Sequence, residues 1–324
     1  MEKAISFLAS RKITGAGFDF SCDYLLCRLK FSPTGKTTYS SVQKSALDFA
    51  LHVGAAGPAM VRPLFDKGQI EISWVKEAIV SQPLPISPRS YSVPLGVLAD
   101  GTHKSISLPL APHIMVAGTT GSGKSYWMHG AIRWALGQGI HVFAIDPKWG
   151  EFGEYKSFER FYHIAKSEKF TETLSYLVER MNLNYENMAT ANYRSIKDWS
   201  DGPSPILCVI DELSDAILTH GDAFLKPLLL LAQKGRAAGI HIVAGTQAPT
   251  AKLLSGELKA NFPVKIAFKT ANATASRVVL DQAGAEKLSG AGDGICIAEN
   301  GDLLRFKGYR LLENMKITKI GWRK

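Results

Sequence analysis

Six short apolar runs, set apart by longer stretches, constrain most strongly what this 324-residue chain can fold into. They are His113–Ala117, Gly139–Ile145, Pro205–Ile210, Gly239–Gly245, Val264–Phe268 and Gly294–Ala298. Each is mainly apolar rather than alternating, so each is expected as a strand buried on both faces. Helix-like stretches lie between them. That order predicts an α/β fold whose mostly parallel sheet is covered on both sides. The series ends differently: "GICIAENGDLLRFKGY" reads as two strands around Asn300–Gly301, a β-hairpin.

Ahead of the series, "YLLCRLKF" reads as a strand and "SSVQKSALDFALHVG" as one helix. "AMVRPLF" and "QIEISWV" read as strands about a turn at Asp66–Lys67–Gly68, which makes a small α+β unit of βαββ order. The proline-rich stretch Ser81–Pro94 is the linker candidate. The expected organisation is a small domain over 1–86, a larger one over 87–310 and a basic tail over 311–324.

No run of 18 or more apolar residues occurs, so no membrane span is expected. The first 15 residues lack the long apolar core and small-residue cleavage site of a signal peptide. Four cysteines are too few and scattered for a disulfide framework. Cys208 and Cys296 lie in apolar runs and read as core; Cys22 and Cys27 lack the second pair a metal site needs. The chain reads as cytoplasmic. Lys and Arg outnumber Asp and Glu by 12 to 8 over residues 1–104, match them at 19 each over 105–301, and lead 7 to 2 over the last 23. A neutral middle with basic ends suits either a polyanion-facing edge or a solubilising tail.

Within the series, "GTTGSGKS" (Gly118–Ser125) follows an apolar strand and opens a helix-like run. That context makes it a phosphate-binding loop: glycines let backbone N–H groups wrap phosphates at a helix N-terminus. Gly118, Thr119, Thr120, Gly121, Ser122, Gly123, Lys124, Ser125 and Tyr126 are the candidate ATP contacts. Lys124 should reach the β/γ-phosphates and Ser125 should ligate Mg²⁺. Asp211 ends the apolar run Ile206–Ile210 and is the second Mg²⁺ ligand, while Glu212 can deprotonate the attacking water. Gln247 ends another apolar run and stands where a γ-phosphate sensor is expected.

Taken together, "PHIMVAGTTGSGKS", "FAIDPK", "IDELSD", "AQKGRAAGIHIVAGTQAP", "LKANFPVKIAF" and "SRVVLDQAGAEKLSGAGDGI" resemble, in order, the motor domain of the FtsK/SpoIIIE family of DNA translocases. The resemblance spans roughly residues 93–310, and "SALDFALHVGA" and "QIEISW" resemble the small domain preceding that motor. It implies a RecA-like P-loop core, ATP hydrolysis at the interfaces of a hexameric ring, and double-stranded DNA as substrate. It also implies a basic residue acting on the neighbour's nucleotide, with Arg236, Lys265 and Arg277 as candidates; Arg277 and Lys287 could equally face DNA. Ala248 stands where the family usually has Arg. An FtsK-like protein-secretion ATPase and a conjugative-coupling or packaging ATPase remain the alternatives.

Overall fold

The computed structural model describes residues 1–23, 26–55, 59–75, 91–98, 100–199 and 202–311. Most of the expected linker and the tail beyond Leu311 lie outside the described residues.

The first part of the chain forms α1 (Glu2–Ser10), β1 (Gly15–Asp23), β2 (Leu26–Pro33), α2 (Tyr39–Lys44), α3 (Ala46–Val53), β3 (Met60–Leu64) and β4 (Gln69–Val75). Its four strands pair antiparallel in the order β1-β2-β4-β3. This corrects the βαββ reading in three ways. Helix α1 went unread, although Ala4, Phe7 and Leu8 recur at helical spacing and are buried. Strand β1 is glycine-rich, with Gly17 at φ 64° beside an irregular register, and gives a weak strand pattern. The single expected helix is two, because the Ser45 hydroxyl bonds back to the Ser41 carbonyl at 3.3 Å and ends α2.

Cys22 and Cys27 lie opposite one another in the β1–β2 register and are joined as a disulfide. The sequence reading, that four cysteines are too few and scattered for a disulfide framework, did not anticipate this single pair. Cys208 and Cys296 are free and buried, as expected.

The second part contains β5 (Ser92–Leu98), β6 (His103–Ser107), β7 (His113–Ala117), α4 (Lys124–Gly137), β8 (His141–Ile145), β9 (Phe161–Ile164) and α5 (Glu168–Thr190). It continues with β10 (Ile206–Ile210), α6 (Leu213–His220), α7 (Asp222–Lys234), β11 (Ile240–Thr246) and α8 (Gly256–Ala260). Then come β12 (Val264–Phe268), α9 (Ala273–Leu280), β13 (Asp293–Ile297) and β14 (Leu303–Lys307). The ten strands form one sheet in the order β6-β5-β14-β13-β12-β7-β11-β10-β8-β9. It is parallel from β12 to β9 and antiparallel from β13 to β6.

All six apolar runs are strands of this sheet, and every residue of β7, β10 and β11 is buried. Alternation explains why: Ile114 and Val116 face a core with Trp127, Met128, Ala131 and Ala135 of α4. Met115 and Ala117 face the opposite core, with Leu174, Leu177, Leu213 and Leu228 of α5, α6 and α7. The hairpin is β13–β14 as expected. Strands β5 and β6 were missed because Pro94 demotes its segment; it sits where the β5–β6 register slips, between Pro94 and Gly96.

Candidate nucleotide site

The loop between β7 and α4 lies at the carboxyl ends of the parallel strands, where ligands bind in open α/β sheets. Gly118 N–H donates to Thr246 O at the end of β11, and Thr119 N–H donates to Lys269 O after β12. The loop is thereby tied to both neighbours of β7. On its other side Gly292 N–H donates to Ser122 O at 2.8 Å. Gly123 has φ 114°, and a Cβ there would stand 2.6 Å from the Gly292 nitrogen. Only glycine lets these two backbones approach so closely.

A cavity of about 760 Å³ opens over this loop. Thr119, Thr120, Gly121, Gly123, Lys124, Ser125 and Tyr126 line it, together with Lys148, Glu151, His129, Gln247, Phe268, Ala291, Gly292 and Gly308–Arg310. Gly118 and Ser122 shape the loop from beneath: a Cβ on Gly118 would run into the Ser122 side chain and Phe268. The far wall is fixed by Tyr126, whose hydroxyl donates to Leu311 O at 2.9 Å and accepts from Leu311 N–H at 3.0 Å.

Lys124, Asp211, Glu212 and Gln247 meet here. Lys124 is buried, and its ammonium donates to Asp211 Oδ1 at 2.7 Å and to Asp211 O at 2.9 Å. Asp211 Oδ2 is buried without a hydrogen-bond partner among the described residues. One oxygen of the Asp211 carboxylate is thus taken by Lys124 and the other is left without a hydrogen bond. Glu212 accepts the Gln247 N–H on both oxygens, at 3.1 and 2.9 Å. Burial raises its carboxyl above the usual range, against the lowering pull of Thr246, Gln247 and Lys124. The Gln247 side-chain oxygen accepts from the Thr120 hydroxyl at 3.2 Å, so Gln247 bridges the loop and Glu212.

The expected trans-acting residues are not in this cluster. Arg236 precedes β11 at the opposite end of the sheet, a strand length of roughly 20 Å from the loop, and donates to Pro109 O at 2.7 Å. Arg277 is exposed on α9. Lys265 is paired with Asp281 at 3.2 Å, which sets it apart from the other two. Sequence reasoning missed Lys148, Glu151, His129 and the segment Gly308–Arg310. Lys148 had a signal, since it follows an apolar strand at the same end of the sheet; His129 lies one turn past Ser125 on α4, Glu151 follows Lys148 by three residues, and Gly308–Arg310 reach the cavity through tertiary packing.

Residues 75–204 match the FtsK/SpoIIIE family. The chain is 35% identical over 231 residues to the DNA translocase FtsK of Corynebacterium efficiens, which covers 64% of this chain and 24% of that protein. It is 34% identical over 221 residues to the FtsK of Streptococcus pneumoniae, covering 62% and 29%. Over residues 75–204 the chain is similar to the FtsK/SpoIIIE family. It spans about a quarter of the length of these FtsK relatives.

The FtsK/SpoIIIE match accords with the fold, which is that of a RecA-like P-loop ATPase core. The conjugation coupling protein TcpA of pCW3, in a monomer form with ATPγS, superposes with a TM-score of 0.70 at 23% identity. That superposition covers 95% of this chain and 94% of TcpA. The cytoplasmic domain of the type VII secretion ATPase EccC of Thermomonospora curvata gives a TM-score of 0.62 at 22% identity, covering 74% and 30%. Among the described residues no helix is long and apolar enough to cross a membrane.

Proposed function

We propose that this chain hydrolyses ATP and couples the energy to movement along double-stranded DNA, as a subunit of a hexameric ring. The observation that carries this reading is the convergence of Lys124, Asp211, Glu212 and Gln247 at the carboxyl ends of β7, β10 and β11. The names of the relatives near 35% identity support DNA as the substrate. A secretion ATPase enters as a likeness of fold at 22% identity, so DNA is favoured over a polypeptide. Conjugative coupling and genome packaging are contexts of the same DNA reading.

The roles follow from position. With the Gly118 and Thr119 N–H groups tied to Thr246 O and Lys269 O, the loop N–H groups that follow them meet the phosphates, and Lys124 exchanges Asp211 for the β/γ-phosphates. Ser125 and Asp211 would hold Mg²⁺, which neutralises phosphate charge when bound. Glu212, buried and raised in pKa, takes the proton of the attacking water. Gln247 joins Glu212 to Thr120, so a phosphate that displaces the Thr120 contact also shifts the base.

Arg236 is the strongest candidate to act on a neighbouring subunit, since it faces away from its own nucleotide loop. Arg277, exposed, remains available for DNA or the neighbour. The division into a small domain over 1–86, a motor over 87–310 and a basic tail over 311–324 belongs to the same proposal. The ATPase rate measured with duplex DNA, single strands, RNA and no nucleic acid tests it. Duplex-selective stimulation is expected; indifference to nucleic acid contradicts DNA as the substrate.

A further inference from the structure

We propose that Lys148 is a second catalytic cation of the nucleotide site, meeting the terminal phosphate of the bound triphosphate from the side opposite Lys124. This rests on the ATPase reading above and adds a residue to it. Lys148 follows β8, the strand beside β10, and lines the cavity that Lys124 and Gln247 also line. Its ammonium stands 3.9 Å from Asp211 Oδ2, while that of Lys124 is 2.7 Å from Oδ1. The two lysines thus approach the two oxygens of one carboxylate, so both ammonium groups stand beside the end of β10.

The loop that presents Lys148 is built and held. Trp149 N–H donates to Asp146 O at 3.1 Å, closing a turn in which Pro147 fixes one φ angle. The fully buried Asp146 carboxylate accepts from Lys148 N–H at 3.2 Å and Phe152 N–H at 3.3 Å. It also pairs with His163 Nε2 at 2.8 Å. Trp149 adopts φ 67°, a left-handed conformation that costs a bulky residue energy, with its ring largely exposed. Such strain persists where surrounding structure enforces it. Here the enforced outcome is the position of Lys148.

An ion pair with Asp211 does not account for this arrangement. At 3.9 Å the ammonium is beyond hydrogen-bonding distance, and its side chain is 44% exposed. With the ammonium partly in solvent and out of hydrogen-bonding reach of the buried Asp211, the pairing alone contributes little to stability. A phosphate oxygen entering the cavity would give Lys148 an acceptor and place positive charge where negative charge develops during phosphoryl transfer. Because Lys148 approaches over β8 and β10, its contact is with the terminal phosphate, whereas the loop N–H groups serve the inner two.

The test is equilibrium binding of ADP and of a non-hydrolysable ATP analogue, with Mg²⁺, to the full chain and to its Lys148→Gln and Lys148→Arg variants. Lys148→Gln should weaken the analogue by about tenfold or more and ADP by less than about twofold, the size of a lost charge-assisted hydrogen bond. Lys148→Arg should retain most of the analogue affinity, and thermal melting of both variants should match the wild type. No loss with Lys148→Gln, or an equal loss for both nucleotides, overturns the role of Lys148 and leaves the ATPase reading standing. Failure of the wild type to bind either nucleotide overturns both.

Discussion

Glu212→Gln separates nucleotide binding from turnover. The Glu212 side chain is buried and spans from the end of β10 to the backbone of Gln247, accepting its N–H at 2.9 and 3.1 Å. Glutamine has the same shape and keeps one oxygen for that N–H, so the local fold should survive at a cost of about 1 kcal/mol. What it lacks is a group able to take a proton from water. Loss of a general base slows a reaction by about 10²- to 10⁴-fold, or roughly 3–5 kcal/mol on the barrier. Phosphate release at saturating Mg-ATP and duplex DNA should fall by that factor, while the dissociation constant for nucleotide changes by less than about threefold. Burial also raises the Glu212 carboxyl above its ordinary value of 4.5. The base is charged above that raised pKa and protonated below it. The acid limb of kcat in the wild type should therefore lie above 4.5 and vanish in Glu212→Gln. Turnover within about threefold of wild type would show that Glu212 is not the base.

Three further outcomes follow from particular contacts. Lys124→Ala should abolish hydrolysis and lower unfolding stability by about 3 kcal/mol in chemical denaturation, because Asp211 is left buried without its ion-pair partner. Gly123→Ala puts a Cβ at φ 114° and 2.6 Å from the Gly292 nitrogen; nucleotide affinity should drop by about tenfold or more in calorimetry, for a strain of about 1–3 kcal/mol. His113 on β7 and His241 on β11 are both buried, and burial first, then for His113 the charge of His241, lowers them from 6.5 to about 3 and about 4. The unfolded chain then binds more protons below pH 6.5, so their contribution is complete above that pH and declines as pH falls, by up to about 1.4 kcal/mol per unit per imidazole. His113→Phe should flatten that decline in a series of denaturation curves against pH.

The six core strands were legible because double-sided burial writes itself as uninterrupted apolar runs, and β7 and β12 match their runs residue for residue. The nucleotide loop was legible because its glycines, lysine and serine have to be contiguous. Elements at the sheet's edges were not. Strand β9 has four residues, and β5 carries a proline and a glycine that its register tolerates only because of a slip opposite β6. In the first part of the chain, Ser45 divides one periodic apolar stretch into two helices, which periodicity cannot register. The site shows the same division. Lys124, Asp211, Glu212 and Gln247 each close a readable strand or motif. Lys148 gains its place from a turn held by Asp146 and His163, 17 residues apart in sequence. The wall at Gly308–Arg310 gains its place from Tyr126, 185 residues from its partner Leu311.

Movement along duplex DNA is the central claim, and displacement of a third strand from a triplex measures it most directly. A labelled oligonucleotide bound as triplex at one end of a long duplex should be released by the full chain with ATP and Mg²⁺. It should stay bound with a non-hydrolysable analogue or with Glu212→Gln, which hold nucleotide without turning it over. Release that needs ATP hydrolysis is the predicted result. Active ATP hydrolysis on the same DNA with the third strand left in place would contradict the account.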